Sequence, residues 1–134
     1  MCLAGCGKAD VLRGAAPRRP DIVLITVDTL RADRVGATGG APGVTRAIDE
    51  LARSGAAFLD ATAHVPLTLP SHTSILTGRY PIAHGVHDNN GFTLGPDVPT
   101  LATILYAAGY HTAAFVSSFV LRGATGLSRG FDSY

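Results

Sequence analysis

The chain has 134 residues, a formal net charge of +1 and 46% hydrophobic residues, a composition that supports one folded domain with a real core. Only 16% of residues are charged, and no basic stripe or basic segment interleaved with aromatics is present, which argues against a nucleic-acid partner and against a disordered polyelectrolyte tail. No apolar run approaches the roughly 20 residues that a membrane-spanning helix requires.

The two cysteines, Cys2 and Cys6, lie at the extreme start, which excludes an internal disulfide framework. Leu3-Ala4-Gly5-Cys6 resembles a bacterial lipobox, in which the cysteine is lipidated and becomes the mature N-terminus. Only Met1 and Cys2 precede it, where a charged region and an apolar stretch are expected. On this reading residues 1–19 are a signal remnant and linker, Lys8 to Arg19 is the tether, and Cys6 carries a lipid anchor at the cell envelope or periplasm. The plain alternative is an N-terminal segment without a role.

From Pro20 the texture changes. Asp21 to Val27 is a β-branched, almost unbroken apolar run ending at Asp28; without alternation it predicts a strand covered on both faces. A glycine-rich loop follows (Gly36, Gly39, Gly40, Gly43). Thr45 to Arg53 is amphipathic, with Ile48, Leu51 and Ala52 on one face, and Gly55 stops it. Ala57 to Ala61 reads as a short strand or extended segment. Pro66 to Gly78 predicts a loop turning into a helix, with Pro70 in the first turn and Gly78 at the end. Arg79 to Pro99 reads as loop, with turn signals at His84-Gly85 and Asn89-Asn90-Gly91. Thr100 caps a helix over Leu101 to Ala108 that Gly109 ends, and Tyr110 to Val116 is a third strand candidate. Alternating strands and helices give the α/β class, most economically with a parallel sheet and right-handed crossovers. Gly130 to Tyr134 stop without a terminal helix or polar tail, so the chain reads as the N-terminal piece of a longer domain.

Four residues carry the candidate chemistry. Asp28 follows the first strand, where α/β sheets build their sites, and suits a hard cation; an Asp capping the next turn fits the position equally. Thr68 lies at a predicted helix start, among free N–H groups that favour an anion, and a metal held by Asp28 could activate its hydroxyl. An ordinary N-cap threonine is the plain alternative. His72 lies one turn from Thr68 and could face the same anion. Asn89 could donate to a bound oxyanion, or simply serve a turn. His64 and His111 read as structural or solvated, and Arg31, Arg34 and Arg79 as surface residues. No serine-hydrolase elbow or phosphate-binding P-loop is present.

Together these segments resemble the N-terminal half of a sulfatase, from about Pro20 to the last residue. Ile22 to Asp33 (IVLITVDTLRAD) is similar to that family's first strand and metal-binding loop. Thr68-Leu69-Pro70-Ser71-His72, followed by Leu76-Thr77-Gly78, is similar to its signature Cys-x-Pro-Ser-Arg and Leu-Thr-Gly. Ile48 to Ala52, Gly55 to Phe58, Leu101 to Tyr110 and Thr112 to Phe115 resemble its intervening helices and strands. The resemblance implies an alkaline-phosphatase-like three-layer α/β fold with a mostly parallel sheet over residues 20–134. It also implies hydrolysis of a small-molecule sulfate or phosphate ester through a covalent intermediate. By position Asp28 corresponds to a metal ligand, Thr68 to the nucleophile and a further ligand, and Asn89 to an asparagine contacting non-bridging oxygens. The cofactor implied is a divalent metal: zinc, calcium or manganese.

Three departures shape the expectation. Sulfatases convert cysteine or serine at the Thr68 position to formylglycine, and threonine is not a substrate for that conversion. His72 stands where the signature has arginine, and Thr29 where many sulfatases have a second Asp. A threonine nucleophile with one first-loop Asp is instead the arrangement of the nucleotide pyrophosphatase and phosphodiesterase branch, whose members bind two zinc ions. A non-catalytic sulfatase-like binding module of an envelope lipoprotein is the alternative of another class. Remaining Asp and His ligands are expected beyond Tyr134, leaving this piece inactive by itself.

Overall fold

The computed structural model describes residues 19–134; Cys6, the lipobox-like sequence and all but the last residue of the proposed linker lie outside the described residues. Among the described residues there are four α-helices: α1 Arg46–Ser54, α2 Thr68–Thr77, α3 Pro81–His84 and α4 Leu101–Ala107. Short 3-10 turns occur at Ala32–Arg34, Gly36–Thr38, Phe119–Leu121 and Gly123–Thr125.

Helix α2 is the centre of the packing. Leu69, Thr73 and Leu76 recur at helical spacing and face the core, in which Leu69, Val86, Leu94, Leu121 and Leu127 are buried and Leu76, Val98 and Val120 pack against them. The Thr73 hydroxyl is fully buried and donates to the Leu69 carbonyl at 2.8 Å, so no polar group is left unmatched there. Gly78 ends the helix in the left-handed conformation, φ 65°. Helix α3 falls inside the stretch expected to be loop. Pro81 at its first turn and left-handed Gly85 after it (φ 77°) supply both ends locally, but four residues carry no readable period.

Helix α4 begins at Thr100 as expected. Its side chain accepts from the Thr103 N–H at 3.1 Å, while the Thr103 hydroxyl accepts from the Thr100 N–H at 2.8 Å, a reciprocal capping box. Helix α1 packs against the 36–38 turn: Asp49 accepts from the Ala37 N–H, and Thr45 from the Gly36 N–H, each at 2.9 Å.

The strands are where the structure differs from expectation. Neither residues 21–27 nor 57–61 belongs to a ladder among the described residues, and Val23 is 80% exposed. The physical reason is that a strand exists only through a partner, and none of the described segments pairs with either run. The third candidate does pair. Ala113 and Ser133 form a parallel bridge, with the Ala114 N–H donating to the Ser133 carbonyl at 2.9 Å and the Asp132 N–H to the Thr112 carbonyl at 2.8 Å. The C-terminal residues, read as an unfinished end, are thus the partner of that segment.

Candidate functional site

The start of α2 brings the candidate residues together. Thr68 is the first helical residue, and Leu67, in extended conformation, occupies the cap position without a side-chain bond. The cap is supplied from 20 residues away: the Asn89 carbonyl oxygen accepts the Leu69 N–H at 2.8 Å. Pro70 has no N–H to satisfy. The turn reading of Asn89 is not needed, since among these residues only Gly91 has positive φ. With its oxygen committed to Leu69, the Asn89 amide presents its NH₂ as the free hydrogen-bonding end.

Thr68 and Asp28, 40 residues apart, meet: the hydroxyl donates to the carboxylate at 3.5 Å, at the outer limit of a hydrogen bond. Asp28 is exposed and Thr68 half-buried. Thr29, next to Asp28, is a non-glycine residue with positive φ, 56°. For a β-branched residue that backbone is strained by about 1–3 kcal/mol, so the turn carrying Asp28 is held in a costly conformation. In the sequence, Thr29 stands out only as the place of an absent second Asp.

His72 does not leave a nitrogen for an anion. Nδ1 lies 2.8 Å from the Thr68 carbonyl oxygen and Nε2 3.1 Å from the Thr26 hydroxyl. Because a carbonyl only accepts, Nδ1 carries a proton. Thr26 is the residue that sequence reasoning missed; the signal was a lone polar side chain in an apolar run, two positions before Asp28.

The other titratable groups stand apart. His84 is buried; its Nδ1 accepts from the Val86 N–H at 3.1 Å, so Nε2 donates to the Ser74 hydroxyl at 3.0 Å. Burial first, and the charge of His87 second, hold its pKa below the ordinary histidine value. His64 stacks on Tyr80 at 4.4 Å between ring centroids, and exposed His111 lies 3.7 Å from Asp132. Arg31 pairs with Asp33 at the surface.

Two oxygens 3.5 Å apart can both lie about 2.0–2.4 Å from one cation, so Asp28 and Thr68 fit as two adjacent ligands. Among the described residues no group of three or more His, Cys, Asp or Glu gathers, so these two oxygens alone would not complete a coordination shell. Two open concavities, of about 540 and 560 Å³, are lined by residues 114–117, 122–123 and 134, and by residues around the 36–43 loop and α1; neither includes Asp28 or Thr68.

The sulfatase family model matches residues 20–134. The chain is 36% identical to mouse steryl-sulfatase over 139 aligned positions, covering 90% of this chain and 22% of that protein. It is 34% identical to a Δ4,5-hexuronate-2-O-sulfatase of Bacteroides thetaiotaomicron, covering 86% and 24%. A crystal structure of a sulfatase-type protein from the same bacterium superposes with a TM-score of 0.70 at 32% identity, over 80% of this chain and 23% of that one. The chain therefore spans under a quarter of the length of these relatives.

Proposed function

The chain belongs to the sulfatase family, and on that premise we propose that the complete protein is a metal-dependent hydrolase of sulfate or phosphate esters with Thr68 as nucleophile. The observation that carries the reading is the meeting of Thr68 and Asp28 at the start of α2. Thr68 Oγ1 attacks the sulfur or phosphorus; its new O–S or O–P bond forms as the bond to the leaving alcohol oxygen breaks, and the alcohol departs with a proton. Water then cleaves the threonine ester, releasing the acid and restoring the hydroxyl. The NH₂ of Asn89 is available to a non-bridging oxygen, and the positive end of α2 favours the anion. A divalent cation, when bound by Asp28 and Thr68 with ligands from further residues, supplies charge stabilisation and a lowered hydroxyl pKa.

One observation favours a phosphodiesterase variant of this reading. Thr68 cannot become formylglycine, so transfer must go through the threonine oxygen itself, as in the nucleotide pyrophosphatase and phosphodiesterase relatives. The same proposal extends to the fold, with residues 21–27 and 110–116 as strands of a parallel sheet, supported by the parallel bridge at Ala113. It also extends to an envelope location through Cys6, supported by the sequence Leu3-Ala4-Gly5-Cys6. The test is to assay the complete protein, with zinc, calcium or manganese, on aryl sulfates and aryl phosphodiesters. Metal-dependent hydrolysis that falls at least about 10³-fold in Thr68→Ala is expected. Activity unchanged by that substitution overturns the nucleophile, and no activity on either ester favours the non-catalytic module.

A further inference from the structure

We propose that His72 is a positioning residue that sets the Thr68–Asp28 separation by tying α2 to the segment that precedes Asp28. The inference rests on the reading of Thr68 as nucleophile. Thr68 and His72 are four residues apart on α2 and share a face. Thr26 and Asp28 are two apart, at the end of the non-helical segment and in the turn that follows it, and each reaches the same helix: Thr26 to His72 at 3.1 Å, Asp28 to Thr68 at 3.5 Å. The segment and the helix are therefore joined by two adjacent rungs. His72 belongs to both ends of the arrangement, because its Nδ1 also holds the Thr68 carbonyl at 2.8 Å.

The two rungs are unequal. The Asp28–Thr68 contact is long and lies on an exposed carboxylate, so it fixes little by itself. The His72 bonds have ordinary hydrogen-bond lengths, and the ring that makes them is half-buried and rigid. Residues 21–27 have no ladder to hold them among the described residues, which leaves His72 as the polar tie that fixes where Thr26, and with it Asp28, stands against α2. A direct role on substrate would need a free ring nitrogen, and both have partners.

The substitutions can be chosen to cut one bond at a time. His72→Asn puts an amide nitrogen where Nδ1 lies, keeping the Thr68 carbonyl contact and removing the reach to Thr26. Thr26→Val removes the same rung from the other side. In the complete protein each should lower kcat by roughly 10–100-fold, the scale of a misplacement near 1 Å, with KM little changed. The double variant should be no worse than the poorer single, since all three lack one bond. Multiplicative losses, or a Thr26→Val enzyme with full kcat, would overturn the proposal. A readout independent of turnover and of folding in the variants is ¹⁵N NMR of histidine-labelled wild-type protein. A protonated Nδ1 on His72 is expected, and a bare one overturns the bridge. Loss of activity in Thr68→Ala beside independent His72 and Thr26 effects refutes this inference alone; full activity in Thr68→Ala refutes the reading beneath it.

Discussion

Thr68 occupies the first helical position of α2 rather than the cap, and one position of register decides what its oxygen can do. A cap hydroxyl is spent on the N–H two or three residues on; here Asn89 meets that demand, and the hydroxyl reaches Asp28 instead. Sequence placed Thr68 and Asp28 in separate motifs, but the contact between them is nonlocal and only the folded chain supplies it. His84 makes the opposite point, for a histidine read as a turn signal is a buried, neutral link from α3 to Ser74 of α2. Its folded-state pKa is lowered, by burial first. Below the unfolded value of about 6.5 the unfolded state binds the extra proton. The stability His84 contributes is therefore full above that value and lost as pH falls through the folded-state pKa. Thermal unfolding of the complete protein should show a midpoint that declines below pH about 6.5, and His84→Gln should flatten that decline. Equal slopes in the two proteins would remove His84 as the cause.

Helices α1, α2 and α4 were legible because their ends are written locally, by Gly55, Gly78 and Thr100. Residues 21–27 were legible as an apolar β-branched run but not as a paired strand, since pairing depends on partners far along the chain. The same limit hid the role of the C-terminal segment. Asp132 and Ser133 bond residues 112–114, and Gly130 lies against the first turn of α4. Gly130 has φ 87°, and a Cβ there would lie 2.6 Å from the Ala102 carbonyl carbon and from the Thr103 Cα, both backbone atoms. Gly130→Ala thus combines left-handed strain of about 1–2 kcal/mol with overpacking of about 1–3 kcal/mol. Gly78, also left-handed but with nothing within 4 Å of such a Cβ, isolates the first cost. In the complete protein Gly130→Ala should melt clearly below Gly78→Ala, and equal melting would show that the segment yields freely.

At the scale of the whole molecule, the described residues bury a small core around α2 and expose apolar side chains on the segments expected to be strands, with Phe115 95% exposed. The chain spans under a quarter of each of the relatives compared; in the complete protein proposed above, further chain would cover the 21–27 and 113–116 faces and would add ligands to Asp28. The two ordered motifs carried the family; a paired sheet was not legible, because strand pairing depends on segments far apart in the chain. As the proposed nucleophile, Thr68 would become covalently esterified during turnover. The direct test is to acid-quench the complete, metal-loaded protein while it hydrolyses an aryl sulfate or aryl phosphodiester and to map adducts by peptide mass spectrometry. A sulfuryl or phosphoryl group on the Thr68 peptide, absent in Thr68→Ala, is the predicted result; robust turnover with the adduct on another residue, or undiminished in Thr68→Ala, would contradict it.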